Sequence, residues 1–158
     1  MATKRSAGLL LYRRSGGLLE VLIGHMGGPF WAGRDGEAWS IPKGEYTAEE
    51  EPAAAARREF EEELGLQPPP GDWRPLGEVR QRNGKIVTAW ALEGDLDTAL
   101  VVPGTFTMEW PPGSGNRREF PEIDRARWCT PEAARPRLVA AQRAFLDRLL
   151  ALLGEGGG

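Results

Sequence analysis

The stretch Gly44-Glu-Tyr-Thr-Ala-Glu-Glu-Glu-Pro-Ala-Ala-Ala-Ala-Arg-Arg-Glu-Phe-Glu-Glu-Glu-Leu-Gly-Leu66 decides how the rest of the chain is read. A glycine opens it, Ala53 to Ala56 are strong helix formers, and Gly65 stands where a helix is expected to stop. The pattern predicts a helix from about Glu50 to Leu64. Its entry has two readings: Thr47 with Glu50 as a capping box, or a start nearer Glu51 with Pro52 in the first turn.

On a helical wheel with Glu59 at zero, Glu62 falls near about 300° and Glu63 near about 40°, so the three carboxylates share a face. Ala53, Ala56, Phe60 and Leu64 form an apolar stripe beside them, which lets the helix pack while its acids line the mouth of a site. Like charges one turn apart repel, and a divalent cation reverses that term. Hard ions such as Mg²⁺ or Mn²⁺ take carboxylate oxygens and leave positions open for phosphate. Arg58 lies beside this face and is expected to orient an acid, with Glu50 or Glu62 as partner, while Arg57 pairs with Glu61 on the outer face. The competing reading is a solvated acidic helix.

Outward from this stretch, Ser6 to Arg13 and Leu18 to His25 read as strands joined by a glycine turn. Met26 to Glu37 is glycine-rich and carries Phe30 and Trp31, so it reads as a loop over a ligand or a cap on the core. Trp39-Ser-Ile-Pro-Lys-Gly is a short extended lead-in, because Pro42 disfavours a helical Ile41 and cannot sit in a central ladder. After the break Pro68-Pro-Pro-Gly, Trp73 to Arg82 and Lys85 to Glu93 flank Asn83-Gly84, a two-residue hairpin signal. Val87, Ala89 and Ala91 alternate with Thr88, Trp90 and Leu92, as in a strand covered on both sides. Thr105 to Trp110 predicts another strand, Pro111 to Arg118 a loop, and Ile123 to Cys129 a final strand. Thr130-Pro-Glu starts helical turns, and Pro136 is expected to open a last helix whose face is Leu138, Ala141, Phe145, Leu149 and Leu152.

The totals bound the chemistry. At 158 residues and 41% hydrophobic, the chain suits one soluble domain over 1–153 with a flexible tail over 154–158, and no apolar run approaches a membrane span. The N-terminus lacks an apolar leader segment, which points to the cytoplasm. One cysteine and one histidine are too few for a Cys/His zinc site, so any metal is held mainly by oxygen. Eight of the 23 acidic residues lie between Glu45 and Glu63, which disfavours a nucleic-acid backbone as partner.

Gly44, Glu50, Arg58-Glu59-Phe60, Glu62-Glu63 and Gly65-Leu66 resemble the Nudix box, G-x5-E-x7-R-E-U-x-E-E-x-G-U with U apolar, at every fixed place. The resemblance implies an α/β/α sandwich around a mixed sheet and metal-dependent hydrolysis of a pyrophosphate bond in a nucleoside diphosphate linked to another moiety. It further implies Glu59, Glu62 and Glu63 as Mg²⁺ or Mn²⁺ ligands, the Gly44 carbonyl as another, and Arg58 with Glu50 as a bracing pair. A general base is not fixed by the box. Glu62 and Glu63 are candidates, as are Glu109, Glu119 and Glu122, of which Glu122 is favoured for its place before the last strand.

The segment Trp39-Ser-Ile-Pro-Lys-Gly resembles the W-x-x-P-K-G lead-in of Nudix hydrolases acting on dinucleoside polyphosphates and diphosphoinositol polyphosphates. It implies Lys43 and Trp39 as substrate contacts; Lys85 and the pair Arg117-Arg118 are further cationic candidates. Phe30, Trp31, Trp39, Trp90 and Trp110 are candidate stacking rings for a base. The expected partner is a small nucleotide-type substrate, a nucleoside triphosphate or a dinucleoside polyphosphate. A homodimer stays open, and the alternative function is a Nudix-like nucleotide-binding or regulatory module without catalysis.

Overall fold

The computed structural model describes residues 3–154, so the end of the expected tail lies outside the described residues. Strands β1 (Arg5–Ser15) and β2 (Leu18–Met26) form the expected antiparallel hairpin. Gly16 and Gly17, at φ 59° and 83°, supply the two left-handed positions a tight primed turn requires.

The inner edge of β1 has two partners. Its C-terminal half pairs with β2, while Arg5 to Gly8 pair antiparallel with β4 (Lys43–Tyr46), Ala7 opposite Gly44. Meanwhile β3 (Trp39–Ser40) pairs with β2, so the lead-in passes from one strand to the other at Ile41-Pro42. Pro42 needs no ladder N–H there, and its carbonyl accepts from Leu9 N–H at 3.0 Å.

On the other edge, β6 (Ile86–Glu93) runs parallel to β1 and pairs antiparallel with β5 (Arg74–Arg80), while β9 (Ile123–Cys129) pairs with β2. The sheet is mixed, in the order β3-β2-β1-β6-β5 with β4 on β1 and β9 on β2.

Alternation along the central strands sends side chains to two layers. Leu9, Leu11 and Leu22 meet Phe60 and Leu64 of α1 (Pro52–Leu64). Leu10, Val21, Ile23 and Val87 meet Phe145, Leu146 and Leu149 of α3 (Arg143–Leu152). A helix of α1's length is marginal alone, so burial of each such side chain, worth about 1.5–3 kcal/mol, holds it. The result is the α/β/α sandwich expected. α1 begins at Pro52, the second of the two entry readings, and ends at Gly65, whose φ of 69° lets its N–H donate to the Glu61 carbonyl at 2.8 Å.

Three local expectations are corrected. The Asn83-Gly84 turn is not a two-residue loop: Gly84 N–H donates to the Gln81 carbonyl at 2.8 Å and Gln81 N–H to the Lys85 carbonyl at 2.9 Å, closing Arg82-Asn83-Gly84 as a loop with a left-handed last residue. Arg117 and Arg118 belong not to a loop but to β8 (Arg117–Pro121), which pairs with β7 (Thr105–Glu109) in a separate two-stranded ribbon.

Pro136, lastly, does not open the last helix. After α2 (Pro131–Ala134), capped by the Thr130 hydroxyl, the chain extends along Trp39: Trp39 N–H donates to the Arg137 carbonyl at 3.0 Å and Val139 N–H to the Trp39 carbonyl at 2.9 Å. These bonds hold Leu138 and Val139 along Trp39 and delay α3 to Arg143. Leu138→Ala, which empties a fully buried site, is therefore expected to cost about 2–5 kcal/mol, whereas Pro136→Ala stays within about 1 kcal/mol; urea denaturation of the two variants checks the ordering.

Candidate active site

The site begins with a close approach. β4 brings its backbone against α1 so tightly that a Cβ built on Gly44 would coincide with the Glu59 carboxylate. No residue with a side chain fits there without moving that acid. Glu59 is only 8% exposed, and burial pushes its carboxyl up; Arg58 opposes this, and the charges of Glu62 and Glu122 add to it. Gly44→Ala should therefore displace Glu59 and lower stability by about 1–3 kcal/mol, read by thermal denaturation.

Arg58 holds the acids. Its Nε and Nη2 donate to the two oxygens of Glu50, both at 2.8 Å, a bidentate pair. Nη1 donates to Glu59 Oε1 at 2.8 Å and to both Glu62 oxygens at 3.2 Å. Both expected partners, Glu50 and Glu62, are engaged, and Glu59 besides. The guanidinium holds its proton more firmly than usual, chiefly through Glu50, whose own carboxyl is lowered by Arg58. Arg57 instead lies over the Trp73 ring at 5.0 Å.

Glu63 faces Lys43. The Lys43 N–H donates to Glu63 Oε2 at 3.3 Å. Burial pushes the Glu63 carboxyl up to about 8, with Glu122 and Glu59 adding repulsion while Lys43 works against both; burial likewise draws the Lys43 ammonium down.

Glu122 reaches the cluster by a backbone route the sequence did not disclose. The segment before β7 hydrogen-bonds to the last turn of α1: Val102 N–H donates to the Leu64 carbonyl at 2.9 Å and Gly104 N–H to the Glu62 carbonyl at 3.0 Å. Glu122 N–H then donates to the Gly104 carbonyl at 2.8 Å, and its own carbonyl accepts from Gly27 N–H at 3.0 Å. Gly104 and Gly27 are close-approach positions, since a Cβ on Gly104 would lie 2.6 Å from the Glu62 carbonyl oxygen and one on Gly27 would overlap that of Pro121. Burial, then Glu62, raises the Glu122 carboxyl.

Other candidates fall elsewhere. Trp39 is fully buried, its Nε1 donating to Asp35 Oδ1 at 3.1 Å and its ring edge-on to His25 at 5.2 Å. It cannot offer a face to substrate, and it acts through the core that carries β3. Arg117 stands four residues up β8 from Pro121, about 13 Å from where the ribbon joins the cluster. Its Nη2 donates to Thr107 Oγ1 at 3.4 Å. Glu109 accepts the N–H groups of Gly113 and Gly115 at the ribbon tip, and Glu119 is exposed on β8. Trp90 packs beside Trp73 at 6.2 Å.

Among the described residues, no three carboxylates converge closely enough to hold a metal ion by themselves. Arg58 draws Glu59 and Glu62 to itself, and Lys43 faces Glu63. The donor chemistry nonetheless fits a hard divalent cation: the donors are all oxygens, and the repulsion among Glu59, Glu62, Glu63 and Glu122 is a term that a cation would relieve.

A pH test follows from these shifts. Glu63 binds its proton up to about pH 8 when folded, against about 4.3 for an unfolded glutamate, so between these limits the folded chain holds more protons and stability falls as pH rises. In chelated buffer the Tm is expected to fall between about pH 5 and about pH 8, and Glu63→Gln to flatten the slope; a slope shared by both proteins would contradict the assignment.

Comparison with known proteins places this geometry in a family. The NUDIX domain model matches residues 2–149. The fold resembles the C. elegans Ap4A hydrolase binary complex (22% identity, TM-score 0.66, covering 96% of this chain and 98% of that one). It also resembles the NUDIX domain of Shewanella oneidensis NrtR complexed with ADP ribose (13%, 0.64, 97% and 90%) and a mutT/nudix family protein from Listeria innocua (16%, 0.63, 98% and 96%). No curated protein sequence matches significantly. The chain belongs to the NUDIX domain family and, with the box complete, is an enzyme of the pyrophosphohydrolase class. Among the described residues no helix is long and apolar enough to cross a membrane.

Proposed function

We propose that this chain hydrolyses a pyrophosphate bond in a small nucleotide, a nucleoside triphosphate or dinucleoside polyphosphate, with Mg²⁺ or Mn²⁺. The observation that carries this reading is the gathering of Glu59, Glu62, Glu63 and Glu122 from two distant segments near enough to repel one another, beside Arg58 and Lys43.

Glu59, Glu62 and Glu63, with the Gly44 carbonyl, would hold the ion. Once bound, such an ion neutralises phosphate charge and lowers the pKa of water. Lys43, already at Glu63, binds and orients the phosphates. Glu122 takes the proton of the attacking water, since a carboxyl raised by burial lies nearer the working pH than an exposed one. Arg58 sets the directions of Glu59 and Glu62 and holds the α1 entry through Glu50.

The test is a hydrolysis screen, read by chromatography of the phosphorylated products, over nucleoside triphosphates, dinucleoside polyphosphates, nucleotide sugars and inositol pyrophosphates. Turnover should require added Mg²⁺ or Mn²⁺ and fall roughly 100-fold or more in Glu62→Gln, Glu63→Gln and Glu122→Gln. Unchanged turnover in Glu62→Gln and Glu63→Gln would remove the assignment, and tight binding without turnover would move the reading to a nucleotide-binding module.

A further inference from the structure

A cleft of about 480 Å³ lies beside Lys43, between the loop after β2 and the β5–β6 turn. Met26, Trp31 and Val139 form its apolar wall, and Phe30 holds the Trp31 ring edge-on at 4.9 Å. Its polar lining is fixed from inside the protein.

The fixing starts at Ile41, whose N–H donates to Gln142 Oε1 at 2.9 Å. A backbone N–H can only donate, so the two ends of the Gln142 amide are assigned. Its Nε2 donates to Ser40 Oγ at 3.0 Å and to Gln81 Oε1 at 3.1 Å, and Ser40 directs its own proton to the Ile41 carbonyl at 2.7 Å. Gln81, 8% exposed, thus commits its oxygen to the interior and turns its amide hydrogens to the cleft it lines.

Asn83 repeats the arrangement on the open side. Lys85 N–H donates to Asn83 Oδ1 at 3.0 Å, which leaves the Asn83 NH₂ for the cleft. The Lys43 ammonium adds donors, while Lys85 lines the cleft with its Nζ already donating to Glu45 Oε2 at 2.8 Å. Nearby carbonyls of Trp31, Gln81 and Lys85 already accept the N–H groups of Arg34, Gly84 and Gln81.

We propose that this donor-lined cleft is the base-reading subsite of the enzyme and selects oxo bases, the 6-oxopurines and 4-oxopyrimidines, over adenine and cytosine. The proposal rests on the hydrolase reading above. An oxo base stacked on Trp31 offers acceptors to Gln81 and Asn83, with its phosphates toward Lys43. Adenine and cytosine would set an amino group against N–H donors and lose the hydrogen bonds that group makes in water.

The experiment is calorimetric titration of the full chain, in chelator, with α,β-methylene diphosphates of inosine, uridine, adenosine and cytidine. The inosine and uridine compounds should bind at least roughly tenfold tighter than the other two, and Trp31→Ala should weaken them by about tenfold or more. Gln81→Glu keeps an oxygen for Gln142 and replaces the donor group by an acceptor, so it should abolish or invert the preference. Asn83→Asp makes the same change without burying a charge and should reduce it.

Equal affinity of the wild type for all four, or a preference untouched by both Gln81→Glu and Asn83→Asp, overturns the proposal. Turnover in the hydrolysis screen without base preference overturns the subsite alone. Preference in binding without turnover supports the subsite and overturns the hydrolase reading.

Discussion

The site depends on holding like charges together. Glu59, Glu62, Glu63 and Glu122 repel one another, and burial penalises their ionised forms, so the arrangement persists only because other parts of the fold oppose it. Arg58 contributes most, through a bidentate bond to Glu50 that leaves Nη1 to bridge Glu59 and Glu62. Packing supplies the rest. Phe60 and Leu64 bind α1 to the sheet on the flank of its acidic face, so that face cannot rotate away from β4.

How much of this was legible in the sequence follows a physical line. Periodicity reports local geometry and burial, and it located β1, β2, β6, β9 and α1 together with the carboxylates of α1. What it does not report is backbone bonding between distant segments. Leu138 and Val139 leave the turn after α2 and run along Trp39, although Leu138 fits the spacing of the last helix. Trp39 is another such case, since an aromatic before a glycine loop looks the same whether its ring faces a ligand or the core. Gly104 and Gly27, which bring Glu122 to α1, have no local pattern beyond being glycines.

Polar order in the interior links the two halves of the proposed site. The route from Ile41 N–H through Gln142 to Gln81 joins the lead-in to β4, the turn before α3 and the end of β5. Each amide in it has only one orientation that satisfies its neighbours. The same lead-in carries Lys43 to Glu63, so the position of Lys43 and the polarity of the adjoining cleft are set by one short length of chain.

The β7–β8 ribbon leaves the domain and returns to the point of departure, because Glu122 N–H closes on the Gly104 carbonyl while both residues are tied to other elements. The spacing between Glu62 and Glu122 is thus set at the base of the excursion and owes nothing to its length. Insertions, deletions or a grafted peptide at the ribbon tip can be accommodated without altering the distance between the acids. This leaves the tip open to evolutionary change and to engineering.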